Sequence, residues 1–165
     1  MSENYIMLNG KRVDLTDEQL EKLGLNVKKD YFAKNDKETF YVVGVDGDVV
    51  DSFYLSGNDE FCSNVYKVAN YCADKKLMEQ RALHETLSRL LWRLSMQNDG
   101  DKIDWHNANQ CKYQIYYNHN EGKYFVSNNC WQQNNGQYYR TEEIAKRAID
   151  EIILPFMKEH PDFVW

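Results

Sequence analysis

Apolar residues recur along the chain with a period that switches between two and about 3.6, and each switch marks an element. Ile6, Met7 and Leu8 stand before Asn9-Gly10, and Val13 stands after it. Asn-Gly readily takes the positive φ angles of a type I′ turn, so residues 6–13 are expected to form a short hairpin. A helix is expected directly after it. Thr16 and Gln19 have the spacing of a capping box, Leu20 and Leu23 make an apolar edge, and Gly24 is placed to end the helix. Lys28 to Lys37 reads as a charged connection.

A β-branched and aromatic hairpin follows, from Thr39-Phe40-Tyr41-Val42-Val43 through an Asp46-Gly47 turn to Val49-Val50-Asp51-Ser52-Phe53-Tyr54. Beyond a polar loop at Ser56-Gly57-Asn58-Asp59, the segment Val65 to Tyr71 is expected to add a third strand before Asp74 caps a long central helix. Leu83, Leu87, Leu90, Leu91 and Leu94 recur at helical spacing and form one apolar face, which Asn98-Asp99-Gly100 brings to an end.

The second half repeats the plan. Residues 112–117 and 123–126 are expected to pair across Asn118 to Gly122, and Gln137-Tyr138-Tyr139 supplies a third strand. Thr141 then caps a helix whose Ala145, Ala148, Ile149, Ile152 and Phe156 share a face. Pro155 is expected to kink or end that helix. The fold class that follows is α+β: a single domain over 1–165, with an N-terminal hairpin and helix (1–37) and two strand-strand-strand-helix units (38–98 and 99–165), each helix lying across its own antiparallel sheet.

Composition narrows the setting. The chain is 42% hydrophobic and 28% charged with two prolines and eight glycines, which describes a folding chain rather than a disordered one. No apolar run approaches the roughly 18 residues of a membrane span, and the start lacks the apolar core of a signal peptide, so a cytosolic protein is expected. Cys62, Cys72, Cys111 and Cys130 show no close pairing and read as reduced thiols.

The net charge is −6, unevenly spread: −6 over residues 1–60, +3 over 61–98 and −3 over 99–165. A negative surface disfavours sequence-independent DNA binding, which draws on Lys and Arg against phosphate, and suits a basic partner. Arg81, Arg89 and Arg93 on the central helix, with Lys67, Lys75 and Lys76 nearby, read chiefly as a solvated face, with a phosphate-contacting helix as the alternative.

Catalytic signatures are incomplete. His84-Glu85 opens like HExxH, but Ser88 stands where the second histidine would be. There is no GxSxG elbow, phosphate loop or CxxC pair, so no enzyme activity, cofactor or metal is expected. Asp-Gly-Asp-x-x-Asp occurs at 46–51 and again at 99–104, and reads as turn chemistry, with a hard-cation site as the alternative. From Trp105 to Tyr139 aromatics mix with Asn and Gln. Strand alternation would expose one set of rings, and Tyr116, Tyr124, Trp131 and Tyr138 are the candidates for partner-binding anchors.

NGKRVDLTDEQLEKLGL, YVVGVDGDVVDS and YYRTEEIAKRAIDEI resemble stretches of uncharacterised accessory proteins of Firmicutes phages and prophages. That family commonly shows a phrase like NYF-x-T before the long helix, where this chain has Asn70-Tyr71-Cys72-Ala73-Asp74, a divergence around residues 60–75. The resemblance implies a host-cell cytosolic protein that works by binding. Small acidic proteins of such elements, anti-CRISPR proteins among them, share this size, charge and lack of catalytic motifs. The expected partner is a basic, nucleic-acid-handling host protein, met by Asp14, Asp17, Glu18, Glu21, Asp46, Asp48, Asp51, Asp59 and Glu60. The alternatives are a nucleic-acid-binding module using exposed Tyr and Trp, and a metal-dependent nuclease using the repeated aspartates. An exposed edge strand would also allow a homodimer.

Overall fold

Residues 5–24, 39–52, 60–130 and 136–165 are described by the computed structural model, apart from the side chains of Asp17, Glu21, Ser52, Phe61, Cys62, Ser63 and Tyr66. The connection Lys28 to Lys37, the Phe53-Tyr54 strand end, the loop at Ser56 to Asp59 and Trp131 lie outside the described residues. The chain divides into two compact units, Met1–Lys34 and Asn35–Trp165.

In the N-terminal unit, β1 (Tyr5–Leu8) pairs antiparallel with β2 (Lys11–Asp14), with Leu8 opposite Lys11. Asn9 and Gly10 both take positive φ, 51° and 77°, as the type I′ turn requires. Helix α1 (Asp17–Lys22) starts with a reciprocal capping box: the Gln19 N–H donates to Thr16 Oγ1 at 3.3 Å and the Thr16 N–H to Gln19 Oε1 at 2.8 Å.

The larger unit begins with β3 (Phe40–Val43) and β4 (Val49–Ser52), antiparallel with Val42 opposite Val50. The expected third strand at 65–71 does not form: Val65 to Lys67 are the last turn of α2 (Glu60–Lys67), and a turn at Val68 and Ala69 leads out of it. Phe61 and Val65 stand one helical turn apart, and Ala69 with φ 52° closes the segment. Only one residue pairs as a strand would. Tyr41 and Cys72 exchange both backbone hydrogen bonds, at 2.8 and 3.0 Å. Asn70 extends this bridge with its side chain, donating to the Val43 carbonyl at 2.9 Å and accepting from the Val43 N–H at 3.2 Å.

Asp74 then caps α3 (Lys75–Gln97) by accepting from the Leu77 N–H. The second half repeats this arrangement. β5 (Lys112–Asn118) pairs with β6 (Lys123–Asn129), and Tyr113 and Tyr139 exchange hydrogen bonds at 2.9 and 2.8 Å. Thr141 caps α4 (Glu142–Ala148). In both copies the bridging residue, Cys72 or Tyr139, stands two positions before the cap. The predicted third strand at 137–139 is thus a single bridge, and each sheet among the described residues has two strands.

Pro155 does not end the last helix. A π turn (Ile149–Ile153) widens it, with the Leu154 N–H reaching back to Ile149, and α5 (Leu154–Glu159) continues from there. The wider turn places the residue without an N–H at the start of a new α segment, where no donor is needed.

The protein is of the α+β class, but its helices do not keep to separate sheets. Leu87, Leu91 and Leu94 of α3 join Tyr139, Ala145, Ala148, Ile153, Phe156 and Phe163 in the main core, with Tyr113, Ile115, Tyr124 and Val126 of the second hairpin against it. The same helix also touches β3 and β4. A smaller cluster of Phe40, Val42, Val65 and Tyr71 fills the first repeat, Phe40 meeting Tyr71 edge-on at 5.6 Å. No helix among the described residues is long and apolar enough to cross a membrane.

Candidate functional site

The acidic candidates fall on both units. Asp14 and Glu18 are exposed in the N-terminal unit, and each is occupied by a neighbour, Arg12 at 2.8 Å and Lys22 at 2.7 Å. The side chains of Asp17 and Glu21, and all of Asp59, lie outside what the structure describes.

In the larger unit, Asp46, Asp48 and Asp51 are exposed on the β3–β4 hairpin, and Glu60 is exposed at the start of α2. The hairpin tip is shaped by hydrogen bonds from Gly44 to Asp48 and from Gly47 to Gly44, and Gly47 has φ 93°. A Cβ at Gly47 would come within 3.0 Å of Thr86 Oγ1, so the tip lies close to α3. The Asp46 carboxylate accepts the Asp48 N–H at 3.2 Å. None of Asp46, Asp48 and Asp51 has an ion-pair partner among the described residues, so their charge is turned outward.

The second Asp-Gly-Asp-x-x-Asp run is used differently. Asp99, at φ 64°, receives Lys102 at 2.8 Å and Arg140 at 3.1 Å. The hydrogen bond from Lys102, reinforced by Arg140, holds its carboxyl below the ordinary value. Asp104 accepts the His106 N–H at 2.9 Å. Both runs thus shape turns, and among the described residues no three His, Cys, Asp or Glu side chains converge as a metal ion would require.

Two of the basic residues of α3 share one carboxylate. Glu85 receives Arg81 at 2.8 Å and Arg89 at 3.1 Å, and Arg81 also donates to the Ala69 carbonyl. His84, exposed beside this pair, faces no second histidine.

The aromatic candidates divide between the two faces of the second hairpin. Tyr116, 46% exposed, stacks on Phe125 directly across the strands, with centroids 5.8 Å apart and planes 25° from parallel. Tyr124 points to the other face, half-buried between Tyr117 at 4.9 Å and Trp165 at 5.7 Å. Burial, with the nearby Tyr117, raises its hydroxyl above the ordinary value.

Tyr138, expected as an exposed anchor, is buried at 4%. Its ring packs edge-on against Trp105 at 4.8 Å, and its carbonyl accepts the buried Ser95 hydroxyl at 2.7 Å. Alternation misleads here because residues 137–139 pair at one position only and sit under the loop that carries Trp105. Lys112, also buried, donates to the Asn107 carbonyl at 2.7 Å with its ammonium 5.8 Å from the Trp105 ring.

Sequence reasoning overlooked two features. Phe125 is the partner that makes Tyr116 a two-ring platform, and counting residues outward from the Asn118–Gly122 turn would have revealed the pair. Cys111 and Cys130 flank the same hairpin and meet at its base. Compared with protein-family models, curated proteins and solved structures, the chain matches none.

Proposed function

We propose that the chain is a non-enzymatic accessory protein of a phage or other mobile element, which binds a host nucleic-acid-handling defence protein and inhibits it by acidic occlusion. A CRISPR effector nuclease is the partner class tested first. The observation that supports this reading is the contrast in charge on the larger unit. Arg81, Arg89, Arg140 and Arg147 are each engaged by a carboxylate, whereas Asp46, Asp48 and Asp51 project from one hairpin with no ion-pair partner among the described residues. Such a hairpin presents negative charge to a groove built for phosphate, and exposed Tyr116, stacked on half-buried Phe125, offers apolar area for an anchor.

The test is inhibition of target cleavage by a guide-loaded effector, with Asp46→Lys, Asp48→Lys and Asp51→Lys combined in one variant. The expected result is loss of binding by a factor of ten or more, as about 1.4 kcal/mol of lost interaction would give. Wild-type affinity should fall steeply with salt, because the screening length shrinks from about 10 Å at 0.1 M to about 3 Å at 1 M. Unchanged inhibition by the charge-reversed variant, or affinity flat in salt, overturns the reading.

The stacked Tyr116–Phe125 pair favours one other reading, a module that stacks on unpaired bases. A direct shift of single-stranded DNA or RNA at physiological salt, lost in Tyr116→Ala, would establish that function in place of occlusion.

A further inference from the structure

Cys111 and Cys130 stand one residue outside the paired strands, and the register that sets Lys112 opposite Asn129 brings them face to face. Tyr113 directs both its backbone groups to Tyr139, so its pairing with Asn128 is of the non-hydrogen-bonded kind. Alternation along the ladder makes Lys112 and Asn129 a hydrogen-bonded pair and Cys111 and Cys130 a non-hydrogen-bonded one, the kind in which opposing side chains lie closest. The two Cα atoms of such a pair are about 4.5 Å apart, within the span a disulfide bridges. The side chains have closed that distance: the two sulfurs are in hydrogen-bond contact at 2.8 Å.

We propose that Cys111 and Cys130 are a reversible thiol–disulfide pair that clamps the base of the second hairpin, oxidised by small-molecule disulfides of the glutathione class. Both cysteines are only half-buried. Cys72 differs: it is buried, and its sulfur accepts the Asp74 N–H at 3.3 Å at the entrance to α3. The hydrogen bond to Cys111, and then burial, raise the Cys130 thiol above its ordinary value.

The thiolate of either cysteine attacks one sulfur of the small-molecule disulfide, forming a mixed disulfide and releasing one thiolate. The other cysteine then loses its proton to solvent and attacks the first one's sulfur, which forms the Cys111–Cys130 bond and expels the second small thiolate. Two protein thiols are oxidised and one small disulfide is reduced to two thiols. The bond ties residues nineteen apart in sequence. It lies next to the Tyr113–Tyr139 bridge, so it locks the point at which the third segment joins the hairpin.

The experiment treats the purified full chain with oxidised glutathione and maps its peptides without reduction, alongside thiol titration and thermal unfolding. The expected result is a Cys111–Cys130 linked peptide, loss of two of the four thiols, and a melting midpoint several degrees higher that dithiothreitol restores. Cys111→Ser and Cys130→Ser should each abolish the rise, while Cys62→Ser should keep it. Glutathione left on separate cysteines, pairing that involves Cys62 or Cys72, or an unmoved midpoint overturns the proposal. Peptide mapping of the wild-type chain decides the question even where a serine variant fails to fold.

Discussion

Ser95, on the last turn of α3, donates its buried hydroxyl to the carbonyl of Tyr138, forty-three residues later, at 2.7 Å. This bond fastens the end of the central helix to the segment that leads into the final one. Gln137 Nε2 also reaches that carbonyl, at 3.1 Å, so removing the hydroxyl does not leave it without a donor. Ser95→Ala should therefore cost about 1 kcal/mol, read as a shift in the urea midpoint at unchanged slope.

Gly100 lies against the same residue. A Cβ there would press on Ser95 Oγ and come 2.7 Å from the Ser95 carbonyl. Gly100→Ala should destabilise by roughly 1–3 kcal/mol through overpacking. Combining it with Ser95→Ala should cost less than the two separate effects together, because the alanine removes one of the clashing atoms. Strict additivity in a double-mutant cycle would disprove the proposed contact.

Tyr139 is 1% exposed, and its hydroxyl has no hydrogen-bond partner among the described residues. Burial pushes that hydroxyl far above the ordinary tyrosine value. The ring fills the main core, and its backbone makes the bridge to Tyr113. Tyr139→Phe keeps both features and removes the unsatisfied oxygen, so it should raise stability by about 1 kcal/mol, or roughly 2–4 °C in melting temperature. A clear loss of stability would mean that the hydroxyl has a partner in solution.

The pairs of Asp99 with Lys102 and Arg140, and of Glu151 with Arg147, predict how stability depends on pH. Both carboxyls are held below their ordinary values, in each case first by the hydrogen bond from the basic side chain. A lowered native value means that the stabilisation is complete above the unfolded carboxylate range near pH 4. It is lost as pH falls through the native value, where both states become protonated. Asp99→Asn can keep the left-handed backbone at φ 64°. Its melting temperature should lie below wild type at neutral pH and converge with it towards about pH 2. A constant gap across that range would assign the loss to packing instead of charge.

Features encoded within four residues were readable from the chain alone. Asn9-Gly10, the Thr16–Gln19 box, and the caps at Asp74 and Thr141 depend on hydrogen bonds between near neighbours, and the Leu83–Leu94 stripe on simple helical periodicity. The exposed acids of the β3–β4 hairpin were readable for the same reason, since Asp46-Gly47 declares a turn and turns face water. Tertiary structure decided the rest. Val65 entered a helix, and Tyr138 went under Trp105 because Ser95 and the loop from Asp104 close over it. Tyr116 found Phe125 through the strand register, and Cys111 met Cys130 through the same register. These contacts join positions far apart in sequence, and their energy comes from burial and pairing, which local propensity does not encode.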